Sequence, residues 1–352
     1  MEMEQHIPHS RPWITEKDKL AVQAALHSGM ISEGSLVSEF ENEVKRYLSV
    51  NNAVAQGSGT AALILALKTL DIKQGDEVVL PTYVCRSVLE AILSVGASAS
   101  LCDVDEKGVI TVNTVTPLIT EYTKAIIAVH TFGHPCDIAQ LKTLGFPVIE
   151  DACQSLGLLV DGIMAGAMGD VGILSFHATK CLASGEGGML VTDDTQVGER
   201  ARKLAAGDLP PAPRSVAPMS DLQAALGIAQ FARYSEFISR RAELCAQYTN
   251  AAHDLGFSIG SDLRSNMLFR FTLRIKAGFG AVEEQFSRQG VTIRRGVDEL
   301  LHRLVGLDDV LFPHASHLYQ QTVSVPFYPG LSQEEAAQVK DSFASLKNVD
   351  RD

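Results

Sequence analysis

Asp170-Val171-Gly172-Ile173-Leu174-Ser175-Phe176-His177-Ala178-Thr179-Lys180 passes from an apolar, β-rich run into a polar turn ending on a lysine, with Gly185-Glu186-Gly187-Gly188 close behind. A short apolar run bounded by turn residues reads as a buried strand, and Met189-Leu190-Val191 begins another after the glycines. The same alternation extends upstream. Strand-like runs fall at Ala53-Gln56, Glu77-Leu80, Ala99-Cys102, Lys124-Val129 and Pro147-Glu150, with helical patterns starting at Thr60, near Val84 and near Ile138. Strands that alternate with helices form βαβ units, so the pattern predicts an α/β fold around a mainly parallel seven-stranded sheet flanked by helices.

Two amphipathic segments, Glu16-His27 and Leu36-Leu48, precede the sheet and read as helices packing on it. Leu209-Pro210-Pro211-Ala212-Pro213 cannot continue a helix, because proline lacks the amide donor and its ring clashes with the preceding turn. It reads as a connector. A long helical pattern follows from Ser220 to about Asp254, then strand-like Met267-Ile275 and Thr322-Pro326 and helices near Val282-Gln289 and Gln333-Leu346. The expected organisation is a large domain over residues 1–218, with an N-terminal helical arm. Residues 219–352 would supply a connecting helix and a smaller α/β domain.

The formal charge of −12 and pI near 5.3 argue against a nucleic-acid phosphate binder. The six cysteines form no CxxC pair, which suits free thiols in a reducing compartment. His314-Ala315-Ser316-His317 has no cysteine or acidic cluster beside it, so no metal site is expected. The acidic start is unlike a signal peptide, and no apolar run approaches the roughly 18 residues that span a bilayer. A cytoplasmic protein without membrane or nucleic-acid partners is expected.

Three segments carry chemical potential. Gly57-Ser58-Gly59-Thr60 joins a strand to a helix, and a helix start offers free amides and a positive dipole end to a phosphate. An ordinary turn with a capping residue would look the same. Glu150-Asp151-Ala152-Cys153-Gln154 puts carboxylates at the carboxyl end of a strand, where open α/β sheets bind ligands. Asp151 could pair with a protonated ring nitrogen or simply cap a helix. Lys180 would ordinarily be a solvated surface lysine, yet its neighbours are Ser, His, Thr, Cys and glycines rather than a charged helix face. A desolvated amine there suits Schiff-base chemistry with an aldehyde cofactor.

Phosphate turn, ring-nitrogen aspartate and lysine occur in that order, and the combination resembles the fold-type-I enzymes that use pyridoxal 5'-phosphate (PLP). Within them the chain resembles the DegT-type sugar aminotransferases along nearly its whole length. The likeness runs through Ile7-Pro8-His9-Ser10-Arg11-Pro12, Gly75-Asp76-Glu77-Val78, Val129-His130-Thr131-Phe132-Gly133-His134-Pro135, Asp221-Leu222-Gln223-Ala224-Ala225-Leu226-Gly227 and Leu301-His302, besides the segments above. The resemblance implies that Lys180 carries the cofactor as a Schiff base, Asp151 pairs with the pyridine nitrogen and Gln154 lies near the phenolic oxygen. Ser58, Gly59, Thr60 and Ser175 would hold the phosphate. A ring-stacking aromatic is implied after the second strand, where Tyr83 is the candidate, although ungapped counting from Pro81 puts Cys85 at the usual place.

His130 and His177 could contact cofactor or substrate or be satisfied structural histidines, and Arg294 and Arg295 could bind a carboxylate or diphosphate through their planar forks of donors or be exposed surface arginines. The family's aromatic-Asn-aromatic-Arg-Met segment is replaced by Ser215-Val216-Ala217-Pro218-Met219. This changes a contact implied for the neighbouring subunit's phosphate. The resemblance further implies a homodimer with active sites at the subunit interface, glutamate or glutamine as small-molecule amino donor, and a keto sugar, plausibly nucleotide-linked, as acceptor. A PLP-dependent sugar dehydratase and a non-catalytic PLP-binding regulator are the alternatives. The known dehydratases carry histidine in place of the lysine.

Overall fold

The structure is a computed structural model and describes residues 6–209, 218–261, 263, 265–344 and 346. The main sheet contains β1 (Asn52–Gln56), β2 (Glu77–Pro81), β3 (Ser98–Cys102), β4 (Thr123–Val129) and β5 (Val148–Asp151). After a small hairpin, β6 (Leu159–Val160) with β7 (Ile163–Met164), it is completed by β8 (Val171–Ser175) and β9 (Gly188–Thr192). The strand order is β1-β9-β8-β5-β4-β2-β3. Every neighbouring pair from β8 to β3 is parallel, while β9 runs antiparallel to both β1 and β8. The seven expected strands and the mainly parallel sheet are therefore found. Ile126, Ile127, Ala128, Val148 and Ile149 have no exposed surface, as expected for strands covered on both faces.

The single antiparallel strand comes from the segment quoted first. Backbone bonds from Phe176 to Gly187 and from Ala178 to Gly185 continue the β8–β9 ladder beyond the sheet. Lys180 thus sits at the tip of a hairpin rising from the carboxyl end of β8. Helices α1 (Glu16–Ser28) and α2 (Ser35–Leu48) pack with the helix Asp221–Phe231. Asp221 secures this junction: it is buried, and its Oδ1 accepts the Val37 amide at 3.0 Å near the start of α2. Helix α3 (Gly59–Thr69) follows β1, with the Ser58 side chain accepting the Ala61 amide at 3.1 Å.

Several expectations are corrected. The long helix is two, Asp221–Phe231 and Tyr234–Leu255. No proline or glycine marks the break. Instead Arg233 leaves helical geometry while its guanidinium bonds buried Asp18 at 2.8 Å and the Trp13 carbonyl at 3.2 Å. The strand expected over Met267-Ile275 shrinks to β11 (Phe271–Arg274), because Met267 and Phe269 pack into the main core and the Phe269 amide bonds the Phe132 carbonyl. Sequence periodicity also passed over the helix Thr195–Ala206, capped by Asp194. Most of the proline-rich connector and Ser215 to Ala217 lie outside the described residues.

A second core surrounds the antiparallel sheet β10 (Ser258–Ile259), β11 and β12 (Thr322–Val325), with Tyr248, Phe271, Phe286 and Phe343 fully buried. Ile7 inserts into it, bonded on both sides to Gly290 and Thr292. That anchor places the following residue pair, His9 and Ser10, against the opening between the cores.

Candidate active site

The carboxyl ends of β5 and β8, the start of α3 and the β8–β9 hairpin surround a cavity of about 750 Å³. Ser58, Gly59, Thr60, Asp151, Gln154, Ser175, Lys180 and Arg294 all line it. Local backbone geometry explains how they come so close. A Cβ on Gly59 would stand 2.9 Å from the Ser175 Cβ, and one on Gly188 would stand 2.3 Å from the Ser58 carbonyl oxygen. Glycine at both positions lets the helix start press against β8 and β9.

Asp151 ends β5 with Oδ1 accepting the Cys153 amide at 2.9 Å. Gln154 accepts the Phe132 amide on Oε1 at 2.9 Å, which leaves its NH2 group as a donor. The Lys180 Nζ lies 5.2 Å from the centre of the Phe269 ring, and the side chain is half-buried. Cys153 lies among them. Burial, followed by the Asp151 charge, holds its thiol well above the usual range, while the Lys180 ammonium acts in the opposite sense.

Three candidates are not brought to the cavity. Tyr83 is 1% exposed and packs edge-on against Phe132, with its hydroxyl closing on Gly296, where a Cβ would stand 1.8 Å away. It is a core tyrosine, and after β2 the cavity is lined from Val84 onward, Cys85 among them with its Sγ accepting from the Ser87 hydroxyl at 3.1 Å. His130 is fully buried, with Nε2 against Glu150 Oε1 at 2.8 Å and Nδ1 accepting the Cys136 amide at 2.9 Å. Both ring nitrogens are used inside the fold. Arg295 points elsewhere, bonding the Tyr319 carbonyl at 3.1 Å with its guanidinium over the Phe279 and Tyr319 rings.

Sequence reasoning gave no role to His9, Phe269 and Arg270, which are among the residues that line the cavity. The signal for the last pair was an arginine inside the apolar run Met267-Leu268-Phe269-Arg270-Phe271, which a buried strand does not need.

The donor set fits PLP. The start of an eleven-residue helix offers amides and hydroxyls to a phosphate, a carboxylate stands where a protonated ring nitrogen can pair, and a primary amine is available to an aldehyde. Comparison with known proteins agrees. The model of the DegT/DnrJ/EryC1/StrS aminotransferase family matches residues 12–344. The chain is 30% identical, over an alignment of 384 residues covering 97% of each protein, to the spore coat polysaccharide biosynthesis protein SpsC of Bacillus subtilis. The structure of DesI in the presence of its TDP-sugar product is 28% identical, with a TM-score of 0.90 over 98% of this chain and 93% of that one. The sugar aminotransferase Spr1654 of Streptococcus pneumoniae in its PMP form, described as putative, shares the fold with a TM-score of 0.91 at 23% identity, covering 97% and 98% of the two chains. A cavity whose donors fit a phosphorylated aldehyde, in a chain that the family model matches over residues 12–344, gives one conclusion: this protein belongs to the DegT/DnrJ/EryC1/StrS aminotransferase family and is a PLP-dependent aminotransferase.

Proposed function

We propose that the enzyme moves an amino group from glutamate or glutamine to a keto sugar carried on a nucleotide. The observation that carries this reading is the convergence of Lys180, Asp151 and the α3 start on one cavity. Its volume, about 750 Å³, is in the range that takes substrates of drug size and above. SpsC is named for polysaccharide biosynthesis and DesI was solved with a TDP-sugar product, which supports a sugar acceptor.

When bound, PLP supplies an electron sink for the bond cleavages at the amino-bearing carbon. The chain's own groups do the rest. Ser58, Thr60, Ser175 and the amides at the α3 start hold the phosphate, and Gln154 donates to the ring oxygen. Asp151 keeps the ring nitrogen protonated by pairing with it. The Lys180 amine would hold the cofactor's aldehyde and, when free, would serve as the base that carries a proton at the substrate carbon.

A homodimer with active sites at the subunit interface is part of this reading, supported by exposed Ile14, Leu20, Leu26, Met30 and Ile31 on and around α1. The division into a large part through residue 218 and a smaller one after it is supported in outline by the two cores. Ala224, Tyr234 and Phe237 nevertheless belong to the first core. Among the described residues no helix is long and apolar enough to cross a membrane, and we take the enzyme to act in the cytoplasm.

Borohydride treatment of the yellow holoenzyme is expected to fix the cofactor onto the peptide containing Lys180, as read by mass spectrometry. Lys180→Ala should lose at least about a thousandfold in transamination of keto-sugar nucleotides with glutamate. Label on a different lysine, or full turnover by Lys180→Ala, would overturn the assignment.

A further inference from the structure

One buried residue holds a backbone conformation that its side chain does not favour. Four non-glycine residues among those described have φ in the left-handed region: Ser49, Asp71, Phe132 and Asp161. Ser49, Asp71 and Asp161 are small polar residues exposed in surface turns, which tolerate this conformation. Phe132, at φ 58° and ψ 13°, is aromatic and 4% exposed. A bulky residue keeps such a conformation only where its surroundings over-determine it, and residues of this kind gather at functional sites.

The surroundings of Phe132 do over-determine it. Its ring meets Tyr83 edge-on at 6.1 Å and lies 5.2 Å from the Arg270 guanidinium. On either side, the His130 amide donates to the Asp151 carbonyl at 3.2 Å, the Thr131 hydroxyl to the Gly108 carbonyl at 2.8 Å and the Ser265 hydroxyl to the Gly133 carbonyl at 3.2 Å. Gly133 continues the turn at φ 93°, where a Cβ would stand 2.4 Å from the Met267 carbonyl oxygen.

Held in this way, Phe132 directs both its backbone polar groups at residues that line the cavity. Its N–H donates to Gln154 Oε1 at 2.9 Å. Its carbonyl accepts at 3.0 Å from the amide of Phe269, whose ring centre lies 5.2 Å from Lys180 Nζ. The first bond has a chemical consequence. A side-chain amide can turn either its oxygen or its NH2 group toward a ligand. With a fixed N–H against the oxygen, turning the amide over would set donor against donor, so Gln154 is left to donate. We propose that Phe132 is a positioning residue whose left-handed backbone locks Gln154 as a hydrogen-bond donor to the cofactor's ring oxygen. This rests on the aminotransferase reading above and adds to it the residue that sets the polarity of that contact. A donor at the ring oxygen favours its full negative charge, the form that remains when the proton shared with the Lys180 nitrogen leaves. The locked amide therefore lowers the pH at which that proton is lost.

The test is the pH midpoint at which the yellow band of the PLP-loaded enzyme is half lost, read by absorbance without substrate. Gln154→Leu should raise it by about one unit, the size of one hydrogen bond to a charged group. Phe132→Ile should raise it by a similar amount, because a β-branched residue is disfavoured in the left-handed region, whereas Phe132→Gly, which adopts it freely, should leave the midpoint in place. A role in packing alone would give the opposite order, since glycine removes the whole ring and isoleucine keeps most of its bulk. In a Gln154→Leu background, Phe132→Ile should add less than about 0.3 units, because a residue that acts through Gln154 has nothing left to move. The other charged or titratable groups on the cavity, Asp151, His177, Glu186, Arg270, Arg294 and Glu299 among them, are the same in every variant. An additive shift in the double variant, or an unmoved midpoint in Phe132→Ile or Gln154→Leu, overturns the positioning. Should Phe132→Ile fail to fold, the other two variants decide: a midpoint raised by Phe132→Gly, or unmoved by Gln154→Leu, overturns it. Borohydride labelling separates the two readings. A wild type unlabelled at Lys180 refutes the aminotransferase mechanism, whereas a labelled wild type with the wrong order of midpoints among the variants refutes only the role of Phe132.

Discussion

Glu150 and Asp151 are consecutive on β5, and alternation along a strand sends their side chains to opposite faces. Their surroundings differ completely. Glu150 is fully buried and accepts from His130 at 2.8 Å and from the amides of Gly166, Met168 and Gly169 at 2.6, 2.8 and 2.8 Å. Asp151 accepts one internal amide and lines the cavity with Lys180. The acid whose lone pairs are all used inside the fold ties down the hairpin β6–β7 and the turn after it. The acid left incompletely used can serve a ligand.

Exchanging each acid for its amide should separate the two roles. The larger effect is expected for Asp151→Asn. An amide cannot pair with a protonated ring nitrogen as a charge, so transaminase turnover should drop by about 100- to 1000-fold. The melting temperature of the protein without added cofactor should hardly change, because the fold uses only one oxygen of Asp151. Equal losses of stability in the two variants would abolish the contrast.

Glu150→Gln should do the reverse. The carboxylate is lowered below its usual range: burial acts to raise it, but the His130 hydrogen bond and charge and the amides of Gly166 and Gly169 outweigh that. Removing the charge while leaving these donors buried should cost about 2 kcal/mol of stability, with the rate per folded molecule little altered. The pH dependence follows from the same direction. A carboxylate lowered in the folded state contributes stability fully above its unfolded value, near 4.5, and loses it as pH falls through the lower folded value. Urea titrations at stepwise lower pH should therefore bring the wild type and Glu150→Gln together below about 4.5. A constant gap down to strongly acid conditions would mean that the charge is not what stabilises the site.

The same contrast explains what could be read from the sequence. Strands and glycine turns are local, so β1 to β5, β8, β9 and the α3 start were legible from periodicity, whereas the roles of Ser58 and Ser175 toward a phosphate were implied only by the family resemblance. His130 and Arg295 stayed open because the partners that hold them follow no local pattern: Glu150 on the next strand for the first, Tyr319 and Phe279 for the second. Arg270 was passed over for a related reason. It follows β5 by more than a hundred residues, and only the retreat of Met267 and Phe269 into the main core brings it to the cavity. The break after Phe231 is tertiary too, set by Asp18 and Trp13 rather than by a helix-breaking residue.

Tyr83 provides the smallest and most discriminating test. It is the second of three residues, Thr82, Tyr83 and Val84, that lead from β2 toward the cavity, and only the last of these lines it. Its hydroxyl is buried with no hydrogen-bond partner among the described residues, and burial raises it above its usual range. An unpartnered buried hydroxyl lowers stability, so Tyr83→Phe should leave stability unchanged or raise it by about 1 kcal/mol, and turnover should stay within about twofold. A loss of rate with unchanged stability would bring Tyr83 back into the site through its hydroxyl. The expected result would show that the Tyr83 hydroxyl serves no reacting group, in keeping with a ring packed edge-on against Phe132 and away from the cavity.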